Sequence, residues 1–284
     1  MKENQQDWNL VIKSRTGFFD INYKELWEYR DLVLLLVRRD FVSFYKQTIF
    51  GPLWFFIQPI FTTVIFVFIF GNLAGISTDG LPQPLFYMTG VVAWNYFAEC
   101  LNKTSTVFKD NANIFGKVYF PRLIMPFSIV VSNLARLAVQ FLLLVVLIAY
   151  YVIFTDFQFT VGWNVLLFPV LVILMALLGL GAGMIISAMT TKYRDLAFLV
   201  TFGVQLLMYA TPVIYPLSAA PSKYKDIISI NPMSHIIEGV RLSLLGQGDL
   251  TPVSFAYSAV TILIILAVGI SVFNRVEKKF VDTI

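Results

Sequence analysis

The chain has 284 residues, of which 58% are hydrophobic and only 13% are charged, with a formal net charge of +4. Soluble globular domains carry about 25% charged residues, and the mean hydropathy here is +0.75. This composition excludes a large soluble domain and predicts an all-α integral membrane protein. We expect the small positive charge to reflect membrane topology and not a nucleic-acid-binding surface.

The N-terminal 31 residues predict no cleavable signal peptide, because charges interrupt them and no continuous apolar core is present. The first true span is therefore expected to serve as the targeting signal. A single cysteine, Cys100, excludes a disulfide within the chain. We expect it to be a small buried side chain.

The first predicted element is an amphipathic helix between Tyr23 and Lys46, with polar and apolar residues on opposite sides at about 100° per residue. Its uninterrupted apolar run, Leu32–Val37, is too short to cross a bilayer, so we expect the helix to lie on the cytoplasmic membrane surface. Two roles are open for Arg38, Arg39 and Lys46. They either bind an anionic headgroup entering from the inner leaflet, or anchor the helix to anionic lipids.

Six apolar stretches follow, each near the ~20 residues that cross a bilayer as a helix. They are Leu53–Gly71, Leu85–Leu101, Met125–Phe154, Trp163–Thr190, Leu196–Pro216 and Pro252–Asn274. The connections 72–84 and 155–162 contain no Lys or Arg, whereas the first 52 residues and 103–122 are rich in both. The positive-inside rule therefore predicts six spans with both termini in the cytoplasm. The connection 217–251 departs from this pattern, but its acidic residues offset its basic ones.

The connection 109–122 predicts a short cytoplasmic helix at about 111–119, because Asp110, Asn111 and Asn113 are suitable helix caps and Pro121 limits its continuation. Its apolar side chains are Ile114, Phe115, Val118 and Tyr119. Two arrangements are open for them. They either face the cytosol and bind a partner protein, or fold back into the headgroup region.

The connection before the last span contains a second short helix, predicted over Ser234–Leu245 and ended by Gly246. At about a dozen residues it covers only ~18 Å. We therefore interpret the region of about 216–246 as re-entrant or outer-leaflet helices, and not as a seventh span.

Two charged residues, Glu99 and Arg136, fall inside predicted spans that neighbour each other and run antiparallel. Intramembrane charges face a partner or a water-filled cavity. We predict that the two residues form an ion pair, with a direct role in substrate binding as the alternative.

Aromatic residues are abundant, and Tyr87, Trp94 and Phe97 share one side of the second predicted span. They are candidates for stacking against sugar rings in a conduit, with ordinary packing as the alternative.

Nothing in the sequence predicts a catalytic or metal-binding site, since no histidine pair, cysteine cluster or metal-organising carboxylate pair occurs. Gly179 and Gly183 form a small-residue pair suited to helix packing, but Met184 stands where a dinucleotide fingerprint needs its third glycine. Gly116 and Lys117 do not form a phosphate loop, because Val118 replaces the required hydroxyl residue.

Several stretches, in order over nearly the whole chain, resemble the membrane subunit of ABC-2 type polysaccharide exporters, which move O-antigen, teichoic acid or capsule precursors. The resembling residues are Tyr45–Trp54 with Gln58-Pro59, Phe120–Pro126, Tyr193-Arg194-Asp195, Thr211–Pro216, Asn231-Pro232 and Ile237-Glu238-Gly239.

The resemblance implies a homodimer in the bacterial inner membrane with two separately encoded phosphate-loop ATPase subunits, so that ATP and Mg²⁺ bind the partner and this chain holds no cofactor. It implies a cytoplasmic segment 1–52 with an interface helix and a transmembrane domain 53–284. A lipid-linked polysaccharide would enter from the cytoplasm. The expected substrate-binding residues are Arg38, Arg39, Tyr45, Lys46, Tyr87, Trp94 and Phe97. The expected ATPase-coupling residues are Asn113, Ile114, Phe115, Gly116, Lys117 and Tyr119.

Three other functions are weighed against this one. A drug or small-lipid exporter would share the fold, but short outer loops and an interface helix favour a glycan substrate. A secondary transporter or channel would need more intramembrane ionisable groups or an internal repeat. A membrane-embedded glycosyl or phosphoglycosyl transferase would need an acidic cluster that the sequence does not contain.

Overall fold

The structure is a computed structural model that describes residues 27–46, 49–115, 120–155, 157, 162–193 and 195–281. Regular structure within these residues is helical, as predicted. The helices are α1 Arg30–Tyr45, α2 Trp54–Phe66, α3 Gln83–Ser105, α4 Val107–Asp110, α5 Ala112–Phe115, α6 Ile124–Phe154, α7 Leu167–Lys192, α8 Leu196–Ala210, α9 Ser222–Ile230, α10 Pro232–Leu245 and α11 Pro252–Val281.

Helix α2 is extended at both of its ends. A 3₁₀ turn, Gly51–Leu53, precedes it, and a π-helical segment, Val67–Leu73, continues it. Short 3₁₀ turns at Trp163–Leu166 and Leu217–Ala219 precede α7 and α9 respectively.

Six helices, α2, α3, α6, α7, α8 and α11, run alternately between two ends of the molecule. One end holds α1, α4 and α5, and is called here the α1 end. There Phe108 of α4 stacks on Phe273 of α11, with ring centroids 4.6 Å apart. The opposite end holds α9 and α10, and is called the α10 end. There Gly90 of α3 lies against Val213, which follows α8.

Within the part of the chain that the structure describes, four segments are long and apolar enough to cross a membrane: Gly51–Leu73, Ile124–Phe154, Trp163–Lys192 and Pro252–Val276. The prediction of a multi-pass helical membrane protein is therefore confirmed, while the number of six spans stays a prediction. Helix α3 has 23 residues but carries Glu99 and Lys103, which lower its hydropathy. Helix α8 has 15 residues.

Helix α8 is shorter than the predicted span Leu196–Pro216, and the reason is local. The backbone of Thr211 is extended, with φ −105° and ψ 147°. Pro212 follows directly, and a proline disfavours the helical conformation in the residue before it. The helix therefore ends at Ala210.

Helix α7 forms the centre of the molecule, because it packs against α3, α6, α10 and α11. A Cβ atom added at Gly179 would lie 2.8 Å from Cβ of Cys100, and one added at Gly183 would lie 2.6 Å from Cβ of Thr104. The small-residue pair noted in the sequence thus allows α7 to approach α3 closely.

A second apolar cluster closes the α1 end. Its members are Val33, Leu36, Val107, Phe108, Phe115, Phe120, Ile124, Met125, Ile129, Met184 and Phe273. Helix α1 contributes Val33 and Leu36, whereas the adjacent Leu34 and Leu35 are exposed. One side of α1, which includes the partly buried Leu32 and Val37, therefore packs on the start of α6, whereas Leu34 and Leu35 face outward.

Candidate functional site

The basic residues predicted on α1 lie on its exposed surface. Arg38, Arg39 and Lys46 are exposed, and Arg39 Nη2 lies 2.7 Å from Asp40 Oδ1. The side chain of Tyr45 lies outside the described part of the structure. A cationic strip thus runs beside the exposed leucines of α1, an arrangement that suits anionic headgroups and lipid alike.

Glu99 and Arg136 are brought together by α3 and α6, with Glu99 Oε1 2.5 Å from Arg136 Nη1. Lys103, one turn further along α3, places its Nζ 3.6 Å from Glu99 Oε2 and donates to Oδ1 of Asn133 at 3.3 Å. The guanidinium of Arg136 also lies over the ring of Phe55, 5.1 Å from its centroid. All three charged side chains are partly exposed, so the cluster lies at the edge of the helix bundle.

We predict that Glu99→Gln lowers the free energy of unfolding by about 1–2 kcal/mol, below the cost of breaking a fully buried pair because the site is partly exposed. The reason is that Arg136 and Lys103 both lose the Glu99 carboxylate, which lies within ion-pair distance of each of them. Thermal unfolding in mild detergent measures the change. Asp31→Asn, at an 84% exposed side chain, is the matched control and should be neutral. Normal stability with lost transport in Glu99→Gln would instead favour a direct substrate role.

Tyr87, Trp94 and Phe97 are inside the subunit and not on a conduit surface. Their exposed fractions are 0%, 3% and 3%. Trp94 and Phe97 pack edge to face, with ring centroids 5.3 Å apart. The physical reason is that α2, α6, α7, α8 and α10 all pack against α3. The structure therefore brings none of the three to a surface where a sugar ring could stack.

The predicted coupling helix corresponds in part to α5, Ala112–Phe115. Asn113 is exposed and Ile114 is half-buried. Of the two arrangements open for the apolar side chains, the one in which Phe115 faces the cytosol is not found, because its side chain is 7% exposed and stacks on Phe120 with ring centroids 5.8 Å apart. Joining the apolar cluster removes this ring from water. The predicted residues Gly116, Lys117 and Tyr119 lie outside the described residues.

Helix α10 begins and ends where the sequence predicts, within two residues. The side-chain oxygen of Asn231 accepts from the backbone N–H of Met233 at 3.0 Å, and Gly246 adopts φ +76° at the other end. A residue with a side chain would be strained in this left-handed conformation, which is why glycine suits the position. Helix α10 is almost entirely buried, with α3, α7 and α11 around it.

Sequence reasoning missed a buried ion pair within α10. Arg241 and Glu238 are 1% and 2% exposed, and Arg241 Nη1 lies 2.9 Å from Glu238 Oε1. The guanidinium of Arg241 also lies over the ring of Phe86, 3.7 Å from its centroid. Burial lowers the pKa of Arg241, whereas the Glu238 carboxylate beside it opposes this shift and favours the charged guanidinium. The available signal was the Glu-to-Arg spacing of three, which places both on one helix face.

Comparison with known proteins shows the family of the chain. The model of the family described as "ABC-2 type transporter" matches residues 31–245. An O-antigen export system permease protein RfbA from Myxococcus xanthus is 28% identical, over 92% of this chain and 98% of the relative. An RfbA from Klebsiella pneumoniae is 28% identical, over 89% and 94%. The polysialic acid transport protein KpsM of Escherichia coli is 22% identical, over 82% and 88%. The chain belongs to the ABC-2 type transporter family.

Proposed function

We propose that this chain is the membrane subunit of an ATP-driven exporter that moves a lipid-linked polysaccharide across the bacterial inner membrane. The observation that carries the proposal is the extent of the similarity, which covers nearly the full length of both this chain and an O-antigen permease. A capsule polysaccharide export inner-membrane protein from Neisseria meningitidis is also similar, at 21% identity. The substrates in these names are all bacterial polysaccharides.

The alternating helices support six spans, with the α1 end in the cytoplasm. Helix α1 carries exposed Leu34 and Leu35 beside exposed Arg38 and Arg39, as expected of a helix lying on an anionic membrane surface. Helix α3 would cross the membrane shielded by its neighbours, so its lower hydropathy is tolerated. In this orientation, α9 and α10 lie at the outer side.

ATP hydrolysis is assigned to a separate subunit, because Gly116 and Lys117 lack the remaining residues of a phosphate loop. Two copies of this chain with two ATPase subunits would form the transporter. The proposed contact with the ATPase is the α1 end around α4 and α5. There Asn113 presents an exposed polar side chain, and the Phe115 ring supports the surface from beneath.

The proposed entry point for the substrate is also at the α1 end. A lipid-linked glycan carries phosphate next to its lipid, and guanidinium groups bind phosphate well. The exposed Arg38 and Arg39 lie toward this end of the molecule. Both are therefore proposed to attract the anionic part of the substrate.

Changing Arg38 and Arg39 together to glutamine is expected to lower substrate-stimulated ATPase activity by about tenfold, equivalent to losing 1.4 kcal/mol of substrate interaction. Basal ATPase activity should remain, since neither residue belongs to the ATPase. Assays of the purified complex, with and without glycolipid, measure both rates. Arg30→Gln, at an exposed arginine in the first turn of α1, is the control. Equal loss of both rates would show that Arg38 and Arg39 only anchor the helix.

Deleting the gene in its native host tests the proposed function. The expected result is loss of one surface polysaccharide, accumulation of its lipid-linked form at the inner membrane, and recovery of export from a plasmid copy. Unchanged surface polysaccharides and no accumulated glycolipid would contradict the proposal. Raised sensitivity to hydrophobic drugs in such a strain would instead favour the small-molecule exporter.

A further inference from the structure

The buried pair Glu238 and Arg241 does more than stabilise its own helix. Oε1 of Glu238 accepts from the backbone N–H of Leu217 at 3.1 Å, and Oε2 accepts from the N–H of Asp249 at 3.2 Å. Nη2 of Arg241 donates to the carbonyl oxygen of Val213 at 2.7 Å. The two side chains therefore hold the connection that precedes α9 and the connection that follows α10.

Arg241 of this pair also packs against the N-terminal part of α3. A Cβ atom added at Gly90 of α3 would lie 2.8 Å from the carbonyl oxygen of Val213 and 3.1 Å from Nη2 of Arg241. A Cβ atom added at Gly248 would overlap the carbonyl oxygen of Glu238. The Phe86 ring lies beneath the guanidinium, so α3, α10 and the connections around them are in close contact at this joint.

Two polar contacts at the periphery connect the same segments. Ser218 Oγ donates to Oδ2 of Asp79 at 2.7 Å, which ties the connection after α2 to the turn before α9. Lys225 Nζ of α9 lies 3.7 Å from Asp249 Oδ2. The connections after α2, α8 and α10 are thus joined to one another, with the buried pair at the centre of the joint.

Moving α10 away from α3 would break this joint at a high cost. Glu238 and Arg241 both belong to α10 and would move together, but Arg241 would lose its contact with the Phe86 ring of α3. Each hydrogen bond lost between a charged group and a backbone group costs about 1.5–3 kcal/mol. The backbone groups of Val213, Leu217 and Asp249 would lose their partners at the same time. If α9, α10, the start of α3 and the connections between them move together, none of these interactions is lost.

We propose that Glu238 and Arg241 are positioning residues that make α9, α10 and the start of α3 a single rigid unit during export. The polysaccharide then leaves through a path that opens by movement of this whole unit, and α10 does not swing away from its own subunit. This inference rests on the proposed export function.

A reversible cross-link tests the rigid unit directly. Asp79→Cys and Ser218→Cys place two thiols on connections that the proposal holds together, while the native Cys100 is buried. A short, membrane-permeable bifunctional methanethiosulfonate joins the thiols, and mass spectrometry verifies the product. Export is measured in the complemented deletion strain before cross-linking, after it, and after reduction.

The expected result is efficient cross-linking with export unchanged. Arrest of export that reduction reverses would overturn the proposal, because it would show that the two connections must separate. Failure of two accessible thiols to cross-link would overturn it as well. This outcome differs from a failure of the proposed export function, because in that case the protein would export no polysaccharide even before cross-linking.

A second variant tests the pair itself. Glu238→Gln keeps the shape of the side chain but removes its charge, and Asp226→Asn, at an exposed carboxylate on α9, is the control. We expect amide hydrogen exchange at Leu217 and Asp249 to rise about tenfold or more, which corresponds to at least 1.4 kcal/mol of lost local stability. Export should fall while ATPase activity persists, a split that general destabilisation would not produce. Unchanged exchange, or raised exchange with normal export, would contradict the proposal. If Glu238→Gln fails to fold, the cross-link decides alone.

Discussion

Gly269→Ala is expected to lower the free energy of unfolding by about 3 kcal/mol, the upper range for overpacking a closely fitted core. Gly269 of α11 faces Gly181 of α7, and the two backbones are in contact. A Cβ atom added at Gly269 would overlap the carbonyl oxygen of Gly181 and lie 3.0 Å from its Cα. Because these neighbours are backbone atoms within two long helices, no side chain can rotate away to relieve the overlap. Thermal unfolding of the detergent-purified protein measures the loss.

The matched control is Gly203→Ala in α8, where an added Cβ atom meets nothing within 4 Å. Both changes add one methyl group inside a helix, so the gain in helix propensity of up to about 1 kcal/mol is common to both. Gly203→Ala should therefore be neutral or slightly stabilising. If both variants unfold at the same temperature, the close contact between α7 and α11 is not present in the protein.

Phe115→Ala is expected to lower the free energy of unfolding by about 3–5 kcal/mol, as for other buried phenylalanines truncated to alanine. The ring packs between Phe108 and Phe120, with centroids 5.7 and 5.8 Å away. Its removal opens a cavity at the α1 end, beneath the proposed ATPase contact. Urea or thermal unfolding monitored by intrinsic fluorescence gives the change in stability.

Asn113→Ala, two residues away on the same short helix, is the control because its side chain is exposed. It should leave stability unchanged within about 0.5 kcal/mol. If Phe115→Ala were as stable as the unchanged protein, the ring would not be buried and would instead be free to contact a partner protein. The same variant would then hydrolyse ATP without transporting substrate.

The long helices could be predicted because lipid imposes a strong rule on sequence. A span needs a continuous apolar stretch and closes its own backbone hydrogen bonds, and Met125–Phe154 therefore matches α6 to within one residue at its start. The ends of α10 were also predictable, since Asn231 and Gly246 are local signals that act within one turn. Such features depend on neighbours in sequence and not on the rest of the fold.

The contacts between helices were harder to predict, because a pattern along one helix does not say which helix covers it. Phe115 looked exposed in a polar connection until α4, α6 and α11 closed over it. Tyr87 and Trp94 share a face of α3, but so many helices surround α3 that no aromatic face remained open. Glu238 and Arg241 lie within a correctly predicted helix, but their burial could not be predicted, since it comes from residues far away in sequence.

Glu99 and Arg136 are an instructive exception. Their contact could be predicted across 37 positions because an intramembrane charge has few acceptable surroundings, and an opposite charge on the neighbouring helix is one of them. The third member, Lys103, was missed. It lies one turn along α3, near the predicted end of the span, where a lysine is usually explained by the membrane surface.

The most direct test of the central claim is to purify the tagged chain from its own host in mild detergent and identify its companions by mass spectrometry. A membrane subunit of a polysaccharide exporter should come with a stoichiometric phosphate-loop ATPase, in equal numbers of the two subunits, and with a bound glycolipid. A chain that repeatedly purifies alone, stable and without an ATPase, would contradict the account.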